Sequence, residues 1–456
     1  MIATDHDIRR LRQKDHRLTS LFLNFSCKPQ PVEGSSQSRG LQGALKDNET
    51  VSNVVIFVDD SFASSDMDLD VYDGILNAIG RLSSLKALQV TSPPHARGIL
   101  PVRVLARLLR ATTGLQSLGI YDLNLAGSQN DFDQLAQEAQ RLWYLKCFAI
   151  QEGDVQLRPS SGASKNYKLS GDPPSPSLDA LLLSLCMLPS LQTLTLTRRS
   201  HSSQAALPAF STSAFSGLFM SSSIRTLKVE GWGWSNDYVT SMARILPSNG
   251  TLQALTLGAL PKMTTDVAKS LACMLQNNQS LIHLDMTLSH MLSDDCALSL
   301  AKALQCSGSQ GSCSRLQSLV LSGQRLGRTT KTCQVAFQEM MENNYSLRKV
   351  VLFRKTFLQP TLQFYTRLNA LGRQSLLRLT DTPGVHHPEA TWVDALSHPL
   401  VQNDLDAMFY FLSSNPALFV QAAGLKETKK RPIVEPDRDT TLSSSQPAIK
   451  RQRTLG

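Results

Sequence analysis

A six-residue pattern, L-x-x-L-x-L with Ile, Val, Met or Phe also admitted at the Leu positions, recurs along most of this chain. Its recurrence limits the fold more than any other feature. By first apolar residue it begins at Leu18, Val51, Leu85, Leu115, Leu145, Leu191, Ile224, Leu252, Leu281, Leu316 and Leu347. Successive starts lie 33, 34, 30, 30, 46, 33, 28, 29, 35 and 31 residues apart. The stretch Thr251 to Met286 shows the unit most clearly. Leu252, Leu255 and Leu257 read as a short strand, and a Pro-containing turn follows. Val267, Ala268, Leu271, Met274 and Leu275 then take the spacing of one helical stripe, and Leu281 opens the next strand. A strand-plus-helix unit of this length cannot bury both apolar faces alone, so it must stack on copies of itself. One such hexapeptide says little, because any Leu-rich segment produces it; the series argues for a repeat architecture.

The series resembles leucine-rich repeats, specifically the long ribonuclease-inhibitor-like class with a true helix in each repeat, over roughly Leu18 to Phe353. That resemblance implies an α/β solenoid, a horseshoe with parallel strands on the concave face, helices on the convex face and a helical C-terminal cap. The family usually places Asn, or sometimes Cys, eight residues after the first Leu, where it ties adjacent turns. Here that offset holds Leu260, Ser289, Gln324, Arg199, Trp232 and Lys355, so the repeats read as degenerate and without that tie. The run from Phe364 to Leu377 also resembles a block that follows the repeats in leucine-rich-repeat proteins of diatoms.

The organisation expected is a cap helix over 1–17, the solenoid over 18–357, a helical cap over 358–420 and a disordered basic tail over 421–456. Inserts that are polar, or rich in Pro, Gly and Ser, near 28–48, 152–177 and 198–213 read as disordered, having too little apolar surface to offset the entropy of ordering. Ser175-Pro176, within the second, fits a proline-directed phosphorylation site. The charged first residues carry no apolar leader, and no window reaches the length of an apolar membrane span, so a cytoplasmic or nuclear, not secreted, protein is expected. Eight cysteines without a C-x-x-C pair read as small buried hydrophobes in a reducing compartment, and Cys306 and Cys313 flank a Gly/Ser loop that a disulfide could close.

The net charge of +9 is partly local. From Gly424 onward eight Lys/Arg face four Asp/Glu, a net of +4. Its clusters Lys429-Lys430-Arg431 and Lys450-Arg451 with Arg453 are nuclear-import candidates, or simply a solvated tail.

In the family resembled, the two inner apolar residues of each strand point into the core and the residues between them face the concave surface. Transferred here, this gives Thr193, Thr195, Thr197, Thr226, Lys228, Glu230, Thr256, His283, Asp285 and Thr287 as exposed partner-binding candidates. Trp232 and Trp234, just past a strand end, are either binding anchors or staples of the turn. The surface is small, neutral and Thr/Ser-rich. It lacks the stripe of Lys/Arg with stacking aromatics that a nucleic-acid groove needs and the converging titratable groups of a catalytic cleft. His283 with Asp285 has no nucleophile beside it, and His386-His387-Pro388-Glu389 lacks a zinc-type spacing. The expectation is a non-enzymatic platform that recognises another protein, without cofactor, metal, membrane or specific nucleic acid. Two alternatives come from resemblance: a regulator of a small GTPase, since Ran GTPase activators share the repeat class but carry an acidic tail, and a ubiquitin-ligase substrate receptor, although no F-box pattern precedes Leu18.

Overall fold

Parallel strands satisfy their backbone groups only by lying side by side in a common register, and the hexapeptides here do so in chain order. A computed structural model of the protein describes residues 9–11, 13, 15, 18–25, 34–46, 48–58, 70–93, 98–151, 155–157, 178–198, 211–232, 234–288, 292–305, 315–323, 331–352 and 359–370. All lie within the unit Met1–Val385. The main strands are β1 (Ser20–Phe25), β2 (Asn53–Val58), β3 (Ala87–Thr91), β5 (Ser117–Tyr121), β7 (Cys147–Gln151) and β9 (Thr193–Thr197). They continue as β10 (Thr226–Glu230), β11 (Ala254–Leu260), β12 (His283–Leu288), β13 (Ser318–Gly323) and β14 (Lys349–Leu352). Together they form one open, 11-stranded sheet in sequence order, every pair parallel.

Each strand begins two residues after the first apolar residue of its hexapeptide, so the pairing follows the leucines directly. In the Leu252 unit, Leu252, Leu255 and Leu257 are all buried. They stack on Ile224, Leu227 and Val229 before them and on Leu281, Leu284 and Met286 after them, every one buried. Burying one such side chain is worth about 1.5–3 kcal/mol, and it is obtained only when the neighbouring unit is in place.

Helices return the chain between strands: α1 (Gly34–Lys46), α2 (Asp70–Gly80), α3 (Val102–Ala111), α4 (Gln129–Ala139), α5 (Asp179–Cys186) and α6 (Thr212–Met220). After them come α7 (Asn236–Ile245), α8 (Thr265–Asn277), α9 (Asp294–Leu304), α10 (Lys331–Asn343) and α11 (Gln359–Ala370). Each packs against the next, making a second layer over one face of the sheet. The expected stripe of α8 (Val267, Ala268, Leu271, Met274, Leu275) is buried throughout, as are Val239, Met242 and Ala243 of α7. Side-chain hydroxyls cap the helices: Ser128 forms a capping box with Asp131, and Ser235, Thr264 and Ser293 accept from Tyr238, Val267 and Cys296. The coarse architecture is therefore an α/β, solenoid-like stack with an open parallel sheet.

Three stretches differ from the sequence expectation. Gly34–Lys46 is helix α1, not a loop, because Leu41, Ala44 and Leu45 make a short stripe that docks into the core despite the Gly/Ser-rich composition. Val155–Leu157, inside the expected insert at 152–177, is strand β8. It pairs with β6 (Asn124–Gly127), which pairs with β4 (Ile99–Pro101), giving a second parallel sheet of three strands. The third expected insert ends early, since Ser211 caps α6 and the helix starts at Thr212. Of the expected N-terminal cap, residues 9–11 are helical and Leu11 is buried. At the other end α11 packs on α10 and β14 with Leu362 and Leu368 buried. The tail from 421, the rest of the C-terminal cap, Ser175-Pro176, Cys306, Cys313 and His386 to Glu389 lie outside the described residues.

The largest correction concerns the tie between turns. It is present, but three residues before the first Leu instead of eight after it. Asn48, Asn249, Asn278 and Asn344 stand in N-E-T-V, N-G-T-L, N-Q-S-L and N-Y-S-L. The Asn278 carboxamide oxygen accepts from the backbone N–H of Ser280 at 3.0 Å and Leu281 at 2.7 Å, while its NH2 donates back to Leu246 O. Asn344 repeats the arrangement, accepting from Ser346 and Leu347 and donating to Leu304 O at 2.6 Å; Asn48 does so with Thr50, Val51 and Leu11 O. The following hydroxyl completes the link: Ser280 Oγ donates to Asn249 O at 2.7 Å and Thr251 Oγ1 to Ser221 O at 3.1 Å. Two other repeats put a hydroxyl residue at this place, Thr112 and Ser221, and three put Leu. Leu82, Leu142 and Leu188 are buried, and the N–H of Leu85, Leu145 and Leu191 is accepted by their backbone carbonyls instead.

Removing a tie leaves several buried backbone groups without partners, at about 1–3 kcal/mol each. Asn278→Ala is therefore expected to lower unfolding stability by about 3 kcal/mol, read as a lower urea midpoint.

Candidate functional site

The face of the large sheet opposite the helices carries two continuous rows of side chains and an interrupted third, because alternate strand residues point the same way and the strands share one register up to a shift between Leu257 and Leu260 of β11. The first row runs Ala87, Ser117, Cys147, Thr193, Thr226, Ala254, His283, Ser318, Lys349. The middle row runs Gln89, Gly119, Ala149, Thr195, Lys228, Thr256, Asp285, Val320, Val351. Thr91, Tyr121 and Gln151 belong to the third, with Thr197 beside Glu230, and Thr287 beside Ser322 further along.

The candidates do share this face, but not equal access. Thr226 and His283 are exposed, and Thr193, Lys228, Glu230, Thr256, Asp285 and Thr287 are half-buried. Thr195 and Thr197 are buried, at 8% and 6% exposure. The register sets Lys228 next to Thr195 and Glu230 next to Thr197. Trp232 and Trp234 are core residues. Trp232 Nε1 donates to Leu196 O at 3.2 Å, and the Trp234 ring meets Phe215 edge-on with centroids 5.1 Å apart. They staple the turn after β10 to the preceding repeat and are not available as anchors. Gly231, between Glu230 and Trp232, makes that turn at φ +75, where a Cβ would stand 2.2 Å from Arg198 O.

From β3 to β9 the open face bears no charged residue; from β10 to β14 it bears Lys228, Glu230, Asp285 and Lys349, with His283 on the same face. Lys228 Nζ lies 3.1 Å from Glu230 Oε2. Glu230 lies along Gly258, where a Cβ would come within 2.6 Å of its Cγ, and Tyr121 lies across Gly119 in the same way. Partial burial pushes the Asp285 carboxyl up, and Glu230 pushes it further, against the opposing pull of Lys349 and Lys228. Thr287 Oγ1 and Ser322 Oγ are 3.3 Å apart. These titratable groups stand on an open sheet and not in a cleft, so water reaches them. Among the described residues no group of three or more His, Cys, Asp or Glu is placed to hold a metal ion.

Of the cysteines expected to be buried, Cys296 and Cys333 are, Cys186 is half-buried, and Cys273 and Cys147 are exposed. Cys273 sits in α8 one position off the buried stripe, where helical spacing turns it outward. Burial drives the Cys186 thiol up to about 12 and, with Asp294 adding to it, the Cys333 thiol up to about 11. Both stay protonated at neutral pH and are poor nucleophiles. Among the described residues no helix is long and apolar enough to cross a membrane.

No protein-family model matches this chain, and no curated protein matches it. Among solved structures it is similar to leiomodin-1 actin-binding site 2, at 20% identity and a TM-score of 0.26, covering 32% of this chain and 80% of that one. A likeness at that score is too slight to support a statement about fold or function.

Because Asp285 has a folded-state pKa above its unfolded value of 3.8, the folded protein binds more protons than the unfolded chain between those two values. Asp285 therefore lowers stability as pH rises through that window and goes on doing so at neutral pH. Asp285→Asn is expected to raise the melting temperature at pH 7. That gain should shrink on acidification and vanish below about pH 3.8 in thermal melts across pH.

Proposed function

We propose that the chain is a leucine-rich-repeat protein of the ribonuclease-inhibitor-like class and a non-catalytic platform that binds another protein through the open face of its sheet. On this reading the strands line the concave side of a horseshoe, the helices its convex side, and α11 begins a helical cap. The observation that carries it is the parallel pairing of eleven strands in chain order, with the first and middle rows unbroken across all of them. With strands about 4.8 Å apart the rows extend over about 48 Å, enough for a partner footprint of about 800 Å². The backbone beneath is held by ladder hydrogen bonds and Asn ties, so binding requires little new ordering. Catalysis fits less well, because groups exposed to water lack the pre-organised, low-dielectric surroundings that make electrostatic catalysis strong.

The uneven face also shapes the partner. A surface that is neutral over β3–β9 and charged over β10–β14 suits a partner with a polar, uncharged patch beside a mixed-charge one. Lys228, Glu230, Asp285 and Lys349 would set its orientation, since complementary charge steers and registers more than it tightens. A cytoplasmic or nuclear location belongs to the same proposal.

The test is affinity capture with the full-length chain, comparing wild type with Thr226→Arg/Thr256→Arg, whose positions on the face are exposed and half-buried. The expected result is one partner held by wild type and lost by the variant, with melting temperature unchanged. Equal capture by both would overturn the open-face reading. A captured small GTPase whose hydrolysis the chain stimulates, or a captured ligase adaptor, would replace the general platform with the corresponding specific role.

A further inference from the structure

At the edge where helices hand over to strands, most turns bear small or polar residues between the tie position and the strand. The turn between α4 and β7 does not. It reads Leu142-Trp143-Tyr144-Leu145, so Tyr144 takes the place held by Thr50, Thr251, Ser280 and Ser346 elsewhere, and Trp143 the place before it. Both rings are in solvent, Trp143 at 65% exposure and Tyr144 at 64%. The fold does not require them there, because Leu142 fills the core beneath and its carbonyl accepts the Leu145 N–H at 2.9 Å.

Beside the rings lies a groove of about 590 Å³, lined among others by Leu109, Arg110, Arg141, Trp143, Tyr144 and Ser190. Glu138, its side chain only 8% exposed, grips both arginines: Arg110 Nε donates to its Oε1 at 2.7 Å and Arg141 Nη1 to its Oε2 at 2.9 Å. One carboxylate thus orients two guanidiniums and leaves one positive charge over. The remaining N–H groups belong to side chains 53% and 60% exposed. The handover segments at 81–86, 110–116, 140–146 and 187–192 hold Arg81, Lys86, Arg110, Arg141 and Lys146, and no Asp or Glu. A cation at a helix C-terminus has a stabilising role of its own. That accounts for charge at this edge, but not for an exposed indole and phenol beside it.

We infer that this groove is a second docking site, separate from the open sheet face, for a linear acidic peptide segment of a partner protein. Arg110 and Arg141 take its carboxylates through their outward N–H groups, and an aromatic or proline side chain of the peptide lies against Trp143 and Tyr144. Pre-oriented guanidiniums match the fork geometry of carboxylates, and exposed aromatics supply contact area with few rotatable bonds to freeze. A nucleic-acid strand fits less well. It needs a succession of phosphate contacts along its backbone, whereas this groove offers two guanidiniums that retain one positive charge between them.

The experiment selects a random linear-peptide display library on the full-length chain and labels one recovered peptide with fluorescein. Recovered peptides should be enriched in Asp and Glu next to an aromatic residue or Pro. Binding should weaken with added salt and fall about tenfold or more with Trp143→Ala and with Arg141→Gln, the loss expected of a principal anchor. Thr226→Arg/Thr256→Arg should bind the peptide as wild type does, so failure of the open-face reading leaves this one standing and the reverse. A readout needing no variant is acrylamide quenching of wild-type tryptophan fluorescence, which the peptide should reduce by covering Trp143. The proposal is overturned if no peptide is recovered, if those recovered lack acidic enrichment, if the variants bind equally, or if quenching is unchanged. Labelled oligothymidylate binding through Trp143 and Arg141, in place of peptides, would overturn it in favour of a nucleic-acid site.

Discussion

Each unit of this protein is built so that its strand and its helix leave an apolar flank uncovered until the next unit arrives. Leu255 and Leu257 are buried from one side by Leu227 and Val229 and from the other by Leu284 and Met286. The rest of the structure depends on that arrangement: the strands must share one register, the helices must form one layer, and the handover turns must superimpose. The Asn ties are a consequence. Close stacking puts turn backbone where water cannot serve it, and the carboxamides of Asn278 and Asn344 supply the donor and acceptors the turns need. Asn369 of α11 continues the series, donating to Asn344 O and Leu347 O at 2.9 Å each.

What is legible in the sequence is whatever burial writes as spacing. Every first apolar residue stands two places before a strand, and the stripes of α7 and α8 can be read from their periodicity alone. Three kinds of feature escape. α1 and β8 lie in polar stretches where two or three buried residues suffice to place a segment, too few to outweigh a Gly/Ser-rich or polar composition. The tie stands away from the family's usual offset, although N-x-[ST]-[LV] can be read in the chain at four places. Access on the open face depends on neighbours in the adjacent strands, a whole repeat away along the chain but one strand spacing away in space. Thr195 and Thr197 are buried although Thr256, in the same row as Thr195, is half-buried, and no local pattern announces it.

The candidate face divides by the same logic. Strand parity gives its positions, but its electrostatics are a property of the register. Asp285 meets Glu230 and Lys349 only because β10, β12 and β14 place them on one patch. Trp232 and Trp234 show the opposite case. Two tryptophans near a strand end resemble a binding anchor in one dimension, whereas in three they close the gap between repeats, one through a hydrogen bond to Leu196 O and the other against Phe215.

Besides the turns with Thr112 or Ser221 at the tie position, two chemically different handover turns recur in this stack, and the difference bears on where a repeat protein can place function. In the Asn type the side chain accepts the next N–H groups, and the hydroxyl two residues on is engaged with the preceding repeat, so the turn is fully occupied by its structural work. In the Leu type a buried leucine replaces the amide and a backbone carbonyl takes the anchoring N–H. The two residues after that leucine are then freer to vary. They are Ser83-Ser84 in one repeat, where Ser84 Oγ still reaches back to Val51 O at 2.7 Å, and Pro189-Ser190 in another. In the repeat that faces Arg110 and Arg141 they are Trp143-Tyr144. An exposed aromatic pair costs a chain in aggregation risk. Its occurrence at a turn whose anchoring the buried leucine already supplies, beside arginines oriented by a buried carboxylate, is what separates a recognition element from a packing accident.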